Sequence, residues 1–332
     1  MRWLTPALAV LSGLALGAIL ILSVGSHPLI AYRALFLGAF GNLNNLAETV
    51  AKTTPLLLIG LGVALALKAS LWNIGAEGQF YAGALAATWV GVSLPGWPPL
   101  ILLPLAMLAG FIAGGIWGGI PGTLRARYGV SEIIVTIMLN YVAIFAVSYI
   151  IHGPLRDPEG YLPQSPPLGP GAHLPILLPA TRLHAGILLA LAGTALAYLI
   201  LKKTTMGYRL IAVGGNPVAA RFAGIDVGRT FALALALSGG LAGLAGMTEV
   251  AGIHHRLTDG ISPGYGFTGI VVALLGRLNP IGITIASLLF ASLIVGADAM
   301  QREAALPVAL VYIIQGLVVL FFLAAEFLGG KE

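Results

Sequence analysis

Residues 131–151 read Ser131-Glu132-Ile133-Ile134-Val135-Thr136-Ile137-Met138-Leu139-Asn140-Tyr141-Val142-Ala143-Ile144-Phe145-Ala146-Val147-Ser148-Tyr149-Ile150-Ile151. After Glu132 the run carries no charge, and it matches the roughly 20 apolar residues a helix needs to cross bilayer hydrocarbon. It predicts a transmembrane helix with one amide, Asn140, near its middle. Runs of similar size occur at 3–25, 50–69, 78–94, 100–120, 184–201, 230–251, 281–297 and 307–328. A shorter run, 264–276, lies between Pro263 and Arg277 and reads as a short span or as a re-entrant segment shielded by protein. The expectation is an all-α polytopic membrane protein of about ten spans, or about nine if 264–276 is re-entrant.

Composition agrees with this reading. Of 332 residues, 58% are hydrophobic and 9% charged, where a soluble domain carries about 25% charged residues. Too few charges remain to clothe a water-facing surface, which excludes a soluble enzyme, a nucleic-acid-binding domain and a disordered regulator. The net charge of +5 then reports Lys- and Arg-rich inner loops rather than an acidic partner. There is no cysteine, so disulfides, thiolate metal sites and cysteine nucleophiles are excluded. The first run is longer than a signal-peptide core of about 7–15 residues and lacks a clear cleavage site after it, so it is expected to be a retained span.

The loop charges orient the chain. With the N-terminus inside, Arg2, Lys68, Arg125, Arg127, Lys202, Lys203, Arg209, Arg221, Arg229, Arg277 and Lys331 fall on the inner side. The outer side receives the smaller set of Arg33, Arg156, Arg182, Arg256 and Arg302, with Lys52 at a span end. The positive-inside rule favours both termini inside.

Two connections are long. Outer loop 152–183 holds Pro154, Pro158, Pro163, Pro166, Pro167, Pro170, Pro175 and Pro179 and is expected to be extended or turn-rich. Inner loop 202–229 mixes Lys202, Lys203, Arg209, Arg221 and Arg229 with apolar residues at near-helical spacing. Asn216 before Pro217 has the pattern of an N-cap with proline at the first helical position, and Gly224 that of a stop. A short helix over 217–223 follows, and from the residues alone it is either interfacial, lying on lipid, or a docking helix for a soluble partner. A weak internal similarity relates 50–83 to 230–270, starting on opposite membrane sides as inverted repeats do.

No catalytic signature is present: neither His-Glu-x-x-His nor a phosphate-binding Gly-x-x-x-x-Gly-Lys occurs. His254-His255 lack acidic partners at ligand spacing and read as an interfacial pair, with no metal site expected. Gly239, Gly240, Gly243 and Gly246 form a small-residue face that admits a close neighbouring helix. Glu48 and Lys52, four apart, are expected to neutralise one another. The informative residues are polar groups at membrane depth, which cost free energy and face a bundle interior or a pathway. These are Asn73, Glu77 and Gln79 in the glycine-broken Trp72–Phe80 stretch, Asn140, and Glu249 near the end of 230–251. For Asn140 an interhelical hydrogen bond is an equal alternative.

Three motifs together resemble a known family. They are Asn73-Ile74-Gly75-Ala76-Glu77-Gly78-Gln79, Thr136-Ile137-Met138-Leu139-Asn140-Tyr141, and Met206-Gly207-Tyr208-Arg209 leading to Gly214-Gly215-Asn216-Pro217 and Ala223-Gly224-Ile225. In order and spacing over nearly the whole chain, the sequence resembles the permease subunits of bacterial ABC importers. The match is to the branched-chain amino acid/simple-sugar permease superfamily, in its nucleoside-importer branch. The resemblance implies a vitamin B12 importer-like (type II) bundle with inverted repeats, in the bacterial cytoplasmic (inner) membrane, with the whole chain as one permease domain. It implies a second permease subunit (alike or paralogous), two cytoplasmic ATPases and an extracellular binding protein or lipoprotein, all working in the lipid bilayer without nucleic acid. No cofactor is expected in this chain, since ATP and Mg would sit on the ATPase.

The resemblance also implies that 217–223 is a coupling helix entering a groove on the ATPase, through Asn216, Pro217, Ala220, Arg221, Ala223 and Gly224. Transport of nucleosides by ATP-driven alternating access is the expected function; simple sugars or related polar solutes, or a stand-alone carrier, are the alternatives. For the pathway, Trp72, Phe80, Tyr81, Tyr141 and Phe267 offer stacking surfaces, and Asn73, Glu77, Gln79 and Asn140 offer hydrogen bonds.

Overall fold

The computed structural model describes residues 4–329, apart from the side chains of 4–11 and of part of 318–329. Arg2 and Lys331, placed above on the inner side, lie outside the described residues. In chain order the helices are α1 (Leu4–Ser23), α2 (Pro28–Phe40), α3 (Leu43–Lys68), α4 (Ala76–Ser93), α5 (Pro99–Tyr128), α6 (Glu132–His152) and α7 (Gly186–Lys203). They continue with α8 (Thr205–Gly215), α9 (Pro217–Phe222), α10 (Val227–Glu249), α11 (Tyr265–Leu275), α12 (Pro280–Glu303) and α13 (Val308–Gly329). A π-turn, Val250–His254, extends α10. Among the described residues there is no strand, only the isolated bridges Gln164–Thr258 and Ile176–His184.

Among the described residues six helices are long and apolar enough to cross a membrane: α3, α5, α6, α7, α10 with its π-turn, and α12. The chain is a polytopic membrane protein. The residues Ser12–Ser23 of α1 and α2 pass the same test only as a pair bent by 120°. The first turn of α4 carries Glu77 and Gln79, which lowers its apolarity, and α11 has 11 residues. Every apolar run of the sequence became helix. Two helices, α2 and α8, had not been expected. At 13 residues α2 is shorter than a span, and α8 is amphipathic, burying Leu210 and Val213 while exposing Tyr208 and Ile211.

Two compact units divide the chain, 1–49 with 289–332, and 50–288. In the first, Ile21, Ala31, Met300, Leu306, Leu310 and Ile314 form the core. The Tyr32 hydroxyl donates to the Leu14 carbonyl (2.5 Å) and Gln315 Nε2 to that of Leu293 (2.9 Å).

The second unit is organised by glycine. Gly110, Gly114, Gly118 and Gly122 recur every four residues along α5, on one face, and that face lies against α10. A Cβ on Gly114 would overlap the Gly239 carbonyl oxygen, and one on Gly243 would overlap that of Gly110. From α4, Gly83 meets Gly243, and Gly246 meets the Phe80 carbonyl. The small-residue face expected on 230–251 is therefore the seam for both α4 and α5.

The Pro-rich loop 152–183 is tied down by its own backbone. Ser165, Leu168 and Leu174 N–H groups donate to the carbonyls of Leu257 (2.9 Å), His255 (3.0 Å) and Ala251 (2.9 Å). An Arg256–Asp157 ion pair at 2.8 Å fixes the near end. Proline removes donors, and three of the N–H groups the loop keeps reach across to the π-turn and the chain just after it.

Candidate functional site

The α3–α4 connection breaks at Ser70, whose positive φ of 56° ends the helix. The chain then runs through Trp72-Asn73-Ile74-Gly75 before α4 starts at Ala76. A helix that begins inside a protein leaves N–H groups needing acceptors, and here other elements supply them. Asn140, on α6, accepts from the Gly78 N–H (2.7 Å) and donates through Nδ2 to the Ile74 carbonyl (2.8 Å). One side chain thus clamps both sides of the bend.

Below it lies a second amide pair. Asn73 Nδ2 donates to Gln79 Oε1 (2.8 Å) and to Ser238 Oγ on α10 (2.7 Å), while Gln79 Nε2 donates to Asn73 Oδ1 (3.0 Å). Asn73 Oδ1 also accepts from the Gly75 N–H (3.1 Å). Glu77 points to another helix start: its Oε2 accepts from the Gly266 N–H (2.7 Å) in the first turn of α11. A carboxylate at a helix N-terminus is favoured both by the free N–H groups and by the dipole. The starts of α4 and α11 meet there, since a Cβ on Gly266 would overlap the Glu77 backbone.

The predicted pathway residues separate into two groups. Asn73, Glu77, Gln79 and Asn140 come together, none more than 3% exposed, with their polar atoms bonded to one another and to backbone. Phe80 and Tyr81 are buried beside them, and Phe80 packs against Tyr265 with ring centroids 6.0 Å apart. Trp72, Tyr141 and Phe267 stand apart from this network and are exposed, Tyr141 stacking on Phe145 (6.4 Å). Ser238 belongs to the network and was not anticipated; a lone serine in a glycine-rich apolar helix gives no signal. Removing the clamp strands a buried donor and a buried acceptor, each costing about 1–3 kcal/mol. Asn140→Ala is therefore expected to lower the melting temperature of the purified protein clearly, whereas Thr136→Ser, on the same face, keeps it near wild type.

At the other end of the unit, α9 has the capping that its sequence indicates. Asn216 Oδ1 accepts from the N–H groups of Val218 (2.9 Å) and Ala219 (3.0 Å), and Gly224 adopts φ +80° past the end. Of the six expected coupling residues, Ala220 turns inward onto Val213 and Val227. Asn216, Pro217, Arg221, Ala223 and Gly224 remain exposed. Phe222 is 90% exposed and Val218 64%; outside the six expected coupling residues, this pair at i and i+4 forms the exposed apolar face of the short capped helix.

Lys52, expected to face Glu48, lies 3.8 Å from Glu249 on α10. His254 lies 3.5 Å from the same carboxylate, and His255 stacks on His173 with centroids 3.9 Å apart. His254 and Glu249, five residues apart in sequence, are brought to one side by the π-turn.

Comparison with known proteins shows the family. Residues 45–323 match the family described as branched-chain amino acid transport system / permease component. The chain is 41% identical to the glucose ABC transporter permease protein TsgB13 of Haloferax volcanii, covering 97% of this chain and 87% of that one. It is 40% identical to the guanosine ABC transporter permease protein NupP of Bacillus subtilis, covering 99% and 96%. To the nucleoside ABC transporter permease protein NupB of Lactococcus lactis it is 36% identical, covering 98% and 91%. A second guanosine permease protein of Bacillus subtilis, NupQ, is 29% identical over 73% of this chain. A match over this much of the sequence shows that the chain belongs to the branched-chain amino acid transport system permease family, a transport component rather than a catalyst.

Proposed function

We propose that this chain is a permease subunit of an ABC importer for nucleosides, in the cytoplasmic membrane. The observation that carries the reading is the similarity, over nearly the whole length, to the guanosine and nucleoside permease proteins. Two permease proteins named for guanosine in one organism both resemble this chain, which supports a pore of two subunits, alike or paralogous. The capped helix α9, with Phe222 exposed at its end, supports a coupling helix seated on a separate ATPase that holds ATP and Mg. An extracellular binding protein delivers the solute.

In this reading α1, α3–α7 and α10–α13 make ten crossings with both termini inside, α4 and α11 being equivalent broken helices of an inverted, type II bundle. The chain then acts as a single permease domain, with 152–183 outside and 202–229 inside. Asn73, Glu77, Gln79, Asn140, Phe80 and Tyr81 hold the broken helix ends beside the pathway. Trp72, Tyr141 and Phe267 present aromatic surface to the solute or the second subunit.

The 41% identical glucose permease protein favours a second reading, a sugar as solute. Proteoliposomes holding the full complex separate the two. ATP-dependent uptake of a labelled nucleoside, resistant to excess glucose, is expected. Uptake blocked by glucose and not by nucleosides selects the sugar, and uptake that persists with the ATPase inactivated overturns the importer.

A further inference from the structure

Glu249 ends the regular part of α10, one residue before the π-turn Val250–His254. It is 1% exposed, and neither carboxylate oxygen has a hydrogen-bond partner. Its neighbours attract it without bonding to it: Lys52 Nζ on α3 at 3.8 Å and His254 Nε2 at 3.5 Å. Lys52 also lies 5.5 Å from the centre of the Tyr265 ring. His184 Nε2 is likewise buried without a partner. Gly252, in the π-turn, packs directly on the His184 ring.

Ionisable groups at membrane depth mark solute pathways, π-turns recur at functional sites, and a buried acceptor without a donor is costly. Here two acceptor oxygens lie side by side with an ammonium beside them, on the side of the unit where α3 and α10 begin and end. Among the described residues no three His, Cys, Asp or Glu side chains group as metal ligands, and neutral O–H or N–H donors would satisfy the two oxygens. Two adjacent hydroxyls fit: each O–H donates to one carboxylate oxygen, and Lys52 donates to a hydroxyl oxygen.

We propose that Glu249, with Lys52, is a station for the vicinal diol of a sugar ring on its way through the permease, reached when α3 and α10 part at this end. The proposal rests on the transport reading and deepens it, since a ribonucleoside and a hexose share this group while differing elsewhere. His254, partly exposed, forms the rim that covers the carboxylate in the present conformation.

The test uses the full complex in proteoliposomes and compares uptake of a ribonucleoside with that of its 2′,3′-dideoxy analogue. Because one binding protein serves every permease variant, its own preference cancels between them. Wild type is expected to favour the diol-bearing solute, and Glu249→Gln to bring that ratio down by about tenfold, as loss of a charge-assisted hydrogen bond to the solute does. Lys52→Gln/Glu249→Gln, which leaves no charge of the pair uncompensated, is expected to show the same collapse even if the single variant assembles poorly. Equal slowing of both solutes, or an unchanged ratio in the double variant, overturns the station and leaves a structural ion pair. Absence of ATP-dependent uptake of any nucleoside or hexose by wild type is a different result and defeats the transport reading itself.

Discussion

Gly114→Leu is expected to prevent the 50–288 unit from assembling, so that no monodisperse protein is recovered from membranes. The reason is what a side chain at this position would meet. A Cβ on Gly114 overlaps the Gly239 carbonyl oxygen and lies 2.7 Å from the Gly243 Cα. Those atoms are backbone of a neighbouring helix and have no rotamer to change. Overpacking against side chains costs about 1–3 kcal/mol because they yield; here α5 and α10 must separate along their length, opening the successive contacts at Gly110, Gly118 and Gly122. In lipid, where close packing rather than water exclusion holds helices together, that contact is the main source of association. Gly119→Ala is the control. It lies five residues further along the same helix, and its Cβ would rest at an ordinary 3.7 Å from Ala236, so the protein is expected to elute and melt as wild type. Fluorescence-detected size exclusion and a thermal ramp distinguish the two. A normal melt for Gly114→Leu would mean that α5 and α10 are not in close contact.

This seam was partly legible in the sequence. The cluster Gly239, Gly240, Gly243, Gly246 announces a face for a close neighbour, and the helix that supplies it carries glycine every fourth residue; which helix it is depends on tertiary arrangement. The apolar runs gave every long helix because hydropathy alone decides burial in lipid. Short elements were less visible. Amphipathic α8 was hidden among loop charges, and α2 is too brief to span. The polar residues Asn73, Glu77, Gln79 and Asn140 stand out in the sequence as costly at membrane depth, and in the structure each bonds a broken helix end or another member of the set. What sequence spacing could not show is the proximity of Glu249 and His254. Residues five apart do not face each other on an α-helix, and no local signal marks the π-turn that brings them together.

Phe222→Asp is expected to abolish ATP-driven uptake, by more than about tenfold, while leaving the permease folded. Phe222 ends α9 with its ring 90% exposed, an arrangement that water disfavours and that a partner's pocket would reward. If α9 is the coupling helix, the ring is its anchor. Truncating an aromatic anchor at an interface costs about 2–4 kcal/mol, and a carboxylate adds the desolvation of a charge. The helix itself survives the change, because Asn216 caps its start and Ala220 holds its inner face against Val213 and Val227. Phe222→Leu keeps apolar volume and is expected to retain most uptake. Ala220→Asp, in contrast, places a charge in that inner cluster and is expected to lower the melting temperature of the chain even without partners. The readings are co-purification of the ATPase, uptake into proteoliposomes, and the melt of the isolated permease. Retention of the ATPase and of uptake by Phe222→Asp would move the motor contact off α9, whose exposed ring would then be seated in lipid.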